Sequence, residues 1–488
     1  MVQQDPINVD VIVVGSGGAG LAAALDAKEH GATAAIVERE PEMGGATAIS
    51  GGGCFASATP VQAARGIQDT TELALADWLR WGQGSADEEW ARFYIENTSG
   101  SLIGWLADLG VNWDAVNQHE GNTVPRWHHP QGGGKQLWQV MYDAALSRGV
   151  EHWLTNTAAT GLIVERGRGT GLRVQPRDSS EPMGLHGKTV VMATGGFMSN
   201  VDMIRGYRPD LRSTRLMEGS HIGATGDGHK MVEGIGGNLT HMDHLWMYSY
   251  ATPDYRDPNG KRGLVVRGLP DYVWVNAQGR RFHNETLSGG ASATPAVLAQ
   301  EPQYCWAIVD DSMRKGADIS DTYYRDGATK DIGRIETLFR DSPYIKSAPT
   351  IEALALEAGL PMSEFKRSIQ SYNSNIDEGL ETDPEFGRPL AGRKKIEEAP
   401  FFAIQFFPLS RKSFGGGKTD LQCRVLDGEG KPLPGLYAAG ELAGMAGGHI
   451  NVRAGLEGTM LGPALFSGRV AGAWAAHGAG KGRGFAGK

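Results

Sequence analysis

The sequence predicts an α/β fold: a Rossmann-like dinucleotide domain, discontinuous in the chain, with an inserted α+β capping domain. Three observations carry that expectation. A strand over residues 9–14 runs into Gly15-Ser16-Gly17-Gly18-Ala19-Gly20 and then an Ala/Leu-rich helix, the order of one β–turn–α unit. Glycine accounts for 70 of 488 residues, about twice its usual ~7%, and it is clustered rather than periodic. The clusters lie towards both ends of the chain and thin out between residues 242 and 410.

The helix after the opening strand runs from about Gly18 to His30 and stops at Gly31. A second strand, 34–38, completes the crossover unit. In the Gly15-x-Gly17-x-x-Gly20 turn the first glycine permits the tight turn. The second lets the backbone approach a pyrophosphate, and the third lets helix and strand pack, so that the helix N-terminus faces the phosphate. Glu38 closes the second strand 18 residues after Gly20, where a carboxylate accepts hydrogen bonds from a ribose diol. A Gly-rich stretch, 44–53, follows. Helical patterns then run to about residue 150, and β-like segments lead to 189–194, which ends in Gly195-Gly196-Phe197. From 242 to 410 aromatics and turns increase. Ser363 reads as the N-cap of a helix carrying Phe365, Ile369 and Ile376. Residues 378–398 read as an irregular loop. Glycine returns near Phe414, and a short strand, 436–439, ends at Gly440-Glu441. The expected division is therefore 1–242 with 411–488 as the nucleotide domain and 243–410 as the cap. Residues 478–488 read as a frayed tail.

Composition narrows the function. With 47 basic and 56 acidic residues the net charge is −9, which argues against nucleic acid as a partner. Cys54, Cys305 and Cys423 stand apart without a CxxC, and the adjacent His128 and His129 lack a further close ligand, so no metal site is expected. No basic leader and no long apolar run appear at the start, so no membrane span and a cytoplasmic location are expected.

Three further elements occur in order: Gly44-Gly45-Ala46-Thr47 with Ser50-Gly51-Gly52-Gly53, Ala193-Thr194-Gly195-Gly196, and Gly435-Leu436-Tyr437-Ala438-Ala439-Gly440-Glu441. This set resembles the flavoprotein superfamily of fumarate reductase, succinate dehydrogenase and the 3-ketosteroid dehydrogenases. The resemblance implies a glutathione-reductase-type FAD-binding domain. It implies FAD contacts from Gly15, Gly17, Gly18, Ala19, Gly20, Glu38, Gly44, Gly45, Ala46, Thr47, Ser50, Gly51 and Gly52. Ala193, Thr194, Gly195, Asp227, Gly440 and Glu441 complete that group, with Glu441 near the ribitol. Gly458, Thr459 and Met460 bring backbone N–H groups and a helix start towards the flavin pyrimidine. No His lies between residues 46 and 50, so FAD is expected to be non-covalent.

The resemblance also implies the chemistry. Gly279-x-Arg281-Phe282-x-Asn284-Glu285 looks like a family segment whose arginine delivers the proton, which makes Arg281 the expected catalytic acid; the alternative is an ion-pair partner of Glu285. His449-x-x-x-Arg453 resembles the segment of the family's substrate-binding arginine, so Arg453 is the expected clamp on a carboxylate or carbonyl oxygen. His449 is expected to bind substrate or to pack in the core. Lys412 and Tyr248 stand where the fumarate-type enzymes carry histidines, and His244 is the alternative to Tyr248. Trp246 and either His129 or His128, in the Trp127-His128-His129-Pro130 loop, are the other expected substrate contacts. A relay through Arg267 lacks its upstream acid, since Leu264 occupies that position, and the glycine run 444–462 lacks the tyrosine of the Δ1-ketosteroid enzymes. The expected activity is an FAD-dependent oxidoreductase acting on a CH–CH bond next to a carbonyl or carboxylate. A dehydrogenase (desaturase) of a cyclic ketone or keto acid is favoured, because neither a haem nor an FMN domain is attached. Electrons would pass to oxygen, a quinone or a soluble carrier. The alternatives are an enoate or enone reductase fed by a separate partner, a 3-ketosteroid dehydrogenase, and a non-catalytic electron-carrier subunit.

Overall fold

Strand β1 (Asn8–Val14) carries Val11, Ile12 and Val13 with no solvent exposure. A run buried on both faces needs cover on both, which a parallel sheet between helical layers supplies. In the computed structural model, which describes residues 7–326, 329–451 and 455–487, β1 lies inside an eight-stranded sheet. The main path runs Arg424–Leu426, Pro432–Ala438, Met183–Met192, β1, β2 (Ala34–Val37) and His152–Leu154. From Pro432–Ala438 to His152–Leu154 the strands are parallel. The hairpin Thr157–Glu165 and Arg168–Pro176 joins Met183–Met192 in antiparallel register.

Between β1 and β2 the chain crosses over as helix α1 (Gly18–Glu29), buried from residue 18 to 27 except at Ala19. It packs on the C-terminal helix Leu461–Gly478 through small residues. A Cβ at Gly468 would overlap the Ala19 carbonyl, and one at Gly472 the Ala23 carbonyl. Side chains at a helix contact set the interaxial distance, so these glycines bring the two axes together. Arg469 reinforces the pair with N–H···O bonds of 2.8 and 3.0 Å to Asp26. The first and last segments of the chain thus build one unit, Met1–Tyr207, Ser220–Trp246 and Lys412–Lys488.

The second unit comprises Arg208–Gly219 and Met247–Arg411. Its sheet is ordered Val273–Val275, Cys305–Val309, Phe401–Ser413, Leu245–Pro253, Gly263–Arg267 and Asp318–Ile319. Trp274, Phe365, Ile369, Tyr372 and Phe406 belong to its core. Met217–Glu218 pairs in parallel with Leu409–Ser410, which explains why 208–219 joins this unit although the sequence boundary at 243 assigns it to the nucleotide domain. The helix expected to start at Ser363 spans Met362–Asp377 with Pro361 as N-cap; a proline fits there because an N-cap needs no N–H and takes a non-helical ψ.

The C-terminal residues are not frayed. Gly484 O lies 3.1 Å from His30 Nε2, and the Phe485 ring meets Phe93 and Phe466 edge-on at 6.3 and 5.5 Å. Two aromatic contacts hold a segment whose Gly/Lys/Arg composition alone suggests none. Among the described residues no helix is long and apolar enough to cross a membrane.

Candidate active site

The Gly15–Gly20 turn divides its glycines between packing and access. Gly15 has φ +105, and a Cβ there would overlap the Ala193 carbonyl oxygen. A Cβ at Gly20 would overlap the Gly15 carbonyl, and one at Gly18 would lie 2.6 Å from Leu465 Cδ2. Gly17 differs: the nearest atom to a Cβ there is Gly44 O, at 3.9 Å. The open position is therefore the N-cap of α1, whose first turn carries no acidic side chain and whose dipole favours an anion. Ala19 packs elsewhere, against Gly440 and Gly468.

Glu38 holds the same turn. Its Oε2 accepts from Ser16 N (3.0 Å) and Ser16 Oγ (2.6 Å), and its Oε1 accepts from Glu40 N (2.9 Å). Ser16 Oγ in turn accepts from Gly44 N. A carboxylate has about four lone-pair sites, so capacity remains for a ribose diol. The short helix Gly45–Ala48 places Thr47 Oγ1 3.0 Å from Gly18 N, with Gly45 and half-buried Ala46 beside it. Ser50 Oγ donates to Thr47 O and accepts from Gly52 N, which fixes the 50–52 loop with Gly51 facing open space. Thr194 Oγ1 is buried without a hydrogen-bond partner, and Gly195 faces open space. Asp227 Oδ2 accepts from Arg39 Nη1 (2.9 Å) and Thr225 Oγ1 (2.7 Å). Glu441 is buried with Ser413 N donating to it at 2.9 Å, and Gly196 is pressed against its carboxylate. Gly440 N donates to Ser467 Oγ. Gly458 O accepts from Phe55 N, and Thr459 and Met460 lead directly into the helix Leu461–Gly478. A backbone cradle left open at Gly17, Gly45, Gly51 and Gly195, a helix N-terminus with no acidic side chain in its first turn and an orphaned Thr194 hydroxyl fit a dinucleotide such as FAD.

The substrate residues sort differently. Arg281, 5% exposed at its side chain, donates to Glu285 from Nε (3.1 Å) and Nη2 (3.0 Å), and to Asp383 from Nη1 (2.5 Å). The Phe386 and Tyr372 rings cover its guanidinium at 4.8 and 5.6 Å. Arg388 completes the cluster by donating to Glu285 at 2.9 Å. Burial alone would lower the Arg281 pKa, but Glu285 and Asp383 outweigh it and hold the proton more tightly than usual. The bonds to Glu285 are those of the ion pair given as the alternative role of Arg281. Asp383 and Arg388, within the segment expected to be irregular, were not foreseen.

Tyr248, 8% exposed, lies on the strand Leu245–Pro253 with the Arg411 guanidinium 5.3 Å from its ring centroid and Tyr250 stacked on it at 4.9 Å. Trp246, two residues earlier on the same strand, packs against Phe414 at 5.6 Å. Lys412, expected at the substrate, lies 3.7 Å from Glu441, so its ammonium sits with the expected flavin ligand. Of the paired histidines, His128 is fully buried. Its Nε2 and Nδ1 lie 2.7 and 2.9 Å from Thr59 Oγ1 and Arg126 O, and burial pushes its pKa down to about 4. Only His129 is reachable, with its Nδ1 3.6 Å from Asp114. His449 stacks on His241 at 4.0 Å; burial, then Lys418 and His241, lower its pKa to about 4, so it is neutral at neutral pH. His244 stands 5.0 Å from His241 in the same group. Arg453 lies outside the described residues. Arg267 is exposed, and Leu264 is buried beside it.

The FAD binding domain family model matches residues 10–457. The chain is 31% identical over 444 residues to the NADH:fumarate oxidoreductase of Klebsiella pneumoniae, covering 90% of this chain; it spans 45% of that relative's length. It is 30% identical over 481 residues to the vinyl phenol reductase of Lactiplantibacillus plantarum, covering 96% of both chains. Among solved structures, the 3-ketosteroid-Δ4-(5α)-dehydrogenase of Rhodococcus jostii matches with TM-score 0.74 and 26% identity over 98% of both chains.

Proposed function

The chain belongs to the FAD binding domain family and is an FAD-dependent oxidoreductase acting on CH–CH bonds; from that premise we propose that it desaturates a cyclic ketone or keto acid. Tyr248 is the proton-handling group in this reading. The observation that carries it is the exchange of partners between the two candidates. Arg281 is saturated by carboxylates, whereas Tyr248 has a guanidinium over its ring.

Desaturation removes a proton from the carbon next to the carbonyl and a hydride from its neighbour. When bound, FAD supplies the acceptor for that hydride, and its electrons leave to oxygen, a quinone or a soluble carrier. Tyr248 reacts as its phenolate: Oη takes the proton and becomes neutral, and the Arg411 guanidinium by the ring stabilises the phenolate that stands before the transfer. Arg453 is the proposed clamp on the carbonyl or carboxylate oxygen. FAD is held without a covalent bond to the chain. A second reading is the reverse, an enone or enoate reductase. The vinyl phenol reductase, matched over 96% of both chains, favours it.

Proton handling is separable from hydride transfer. The α-hydrogen of a ketone ligand should exchange with D2O in the wild-type holoenzyme, followed by NMR, and Tyr248→Phe should abolish the exchange. Undiminished exchange in Tyr248→Phe would assign the proton to another group.

A further inference from the structure

The segment after the last helix is bound back along that helix. Beyond Gly478 the chain turns through Gly480, Gly482 and Gly484, at φ +84, +60 and +81. A Cβ at Gly482 would overlap the His30 ring, and one at Gly484 would stand 2.9 Å from the Trp474 ring. Gly484 O lies 3.1 Å from Nε2 of His30, the C-cap of α1. Phe485 then meets Phe466 at 5.5 Å, roughly 18 Å back along the helix from Gly478. Gly487 follows against Asn97, where a Cβ would overlap Oδ1.

Phe466 stands where this helix meets the nucleotide cradle. Its neighbour Leu465 has Cδ2 2.6 Å from where a Gly18 Cβ would be, and Ala464 Cβ lies 3.8 Å from the same position on Gly440. Phe466 also packs on Phe93 at 5.2 Å and on Tyr94 at 5.6 Å. Tyr94 Oη donates to Phe55 O at 2.5 Å, and a Cβ at Gly462 would overlap that hydroxyl. Phe55 N in turn donates to Gly458 O at 3.0 Å. Phe485 therefore closes an aromatic group that is continuous with the approach to the helix and its first turns. Arg469 lies over the Phe485 ring at 5.6 Å while bonded to Asp26 of α1.

Glycine loses more freedom on ordering than any other residue. Phe485 is the only large apolar side chain between residues 479 and 487, and it is half-buried. A segment so anchored opens at far lower cost than the sheet beneath it.

We propose that residues 479–487 form a strap and that Phe485 sets how long FAD stays bound. Fastened, the strap holds the first turns of the last helix against Gly18 and Gly440. Released, it lets them part from the cradle. Phe485 is a positioning residue in this role, acting through Phe466 and Tyr94. The proposal rests on FAD in the Gly15–Gly20 cradle and on nothing in the substrate reaction.

The test uses full-length holoenzyme. FAD release is followed by flavin fluorescence after dilution, and amide hydrogen exchange by mass spectrometry. Phe485→Ala should release FAD about tenfold faster, the size of two ring contacts, while Phe485→Tyr stays within about twofold of wild type. Gly484→Ala leaves the aromatic group intact but strains a left-handed residue against Trp474, and it should also speed release. In both alanine variants exchange should rise over residues 458–466 and stay unchanged in β1 and in Cys305–Val309. Unchanged release in either alanine variant overturns the strap, as does release from Phe485→Tyr as fast as from Phe485→Ala. Exchange that rises equally in β1, or nowhere in 458–466, overturns it too, by assigning Phe485 to general stability. A wild-type chain that binds no FAD removes the cofactor reading and the strap together. Failure of every ketone and enone to exchange electrons with the flavin removes the CH–CH reading and leaves the strap standing.

Discussion

Arg281 and Tyr248 differ in what surrounds them more than in what they are. Removing one charge from a buried cluster leaves its partners uncompensated, at about 3–5 kcal/mol. Arg281→Met should therefore lower the thermal midpoint strongly, because Glu285 and Asp383 lose their shared cation. The folded fraction should keep its turnover number. Tyr248→Phe should do the opposite: an unchanged midpoint and FAD content, with kcat reduced about 10²–10⁴-fold. Histidines govern the acid limb of stability. His128, His229 and His449 all have pKa values pushed from the ordinary 6.5 down to about 4, chiefly by burial. Their folded forms stay neutral where the unfolded chain takes up protons. The stability they contribute is thus complete above about pH 6.5 and is lost as pH falls towards 4. Urea unfolding across that range should show the loss, and His229→Leu should flatten it, since neither ring nitrogen of His229 has a hydrogen-bond partner to forfeit.

At the scale of elements, the nucleotide turn was legible because its demands are local. Gly15, Gly17, Gly20 and Glu38 act through the backbone of a single β–α–β unit, so spacing alone reveals them. The clearances make that division testable. Gly20→Ala should fail to give soluble protein, since its Cβ meets the Gly15 carbonyl. Gly17→Ala should fold, because Gly17 already has φ −66 and open space, yet purify colourless, with the new methyl in the path of the pyrophosphate. A yellow Gly17→Ala protein would contradict this placement of the phosphate. His128 and His129 show the limit of local reading. They are adjacent in sequence, but strand alternation buries one and leaves the other half-exposed.

At the scale of the molecule, what the sequence concealed is what distant residues share. Arg281 meets Asp383 across 102 positions, so the Arg281 motif alone favoured catalysis. Lys412 faces Glu441, a residue the sequence assigned to the cofactor, and that shifts its expected role away from substrate. Arg208–Gly219 joins the second unit because Met217–Glu218 pairs with Leu409–Ser410 and Arg215 reaches Tyr344 and Phe407. The tail is held because Phe485 reaches Phe93 and Phe466. None of these pairings leaves a periodic trace. The discontinuous build, by contrast, was visible in the recurrence of glycine at both ends. The central claim, desaturation at a CH–CH bond beside a carbonyl, is tested most directly by anaerobic flavin absorbance during addition of cyclic ketones and keto acids. Bleaching of the oxidised band by a saturated compound, with formation of its α,β-unsaturated product, is the predicted result. A flavin that stays oxidised with every saturated compound, yet is reoxidised from the reduced state by an enone or enoate, would contradict it and reverse the direction.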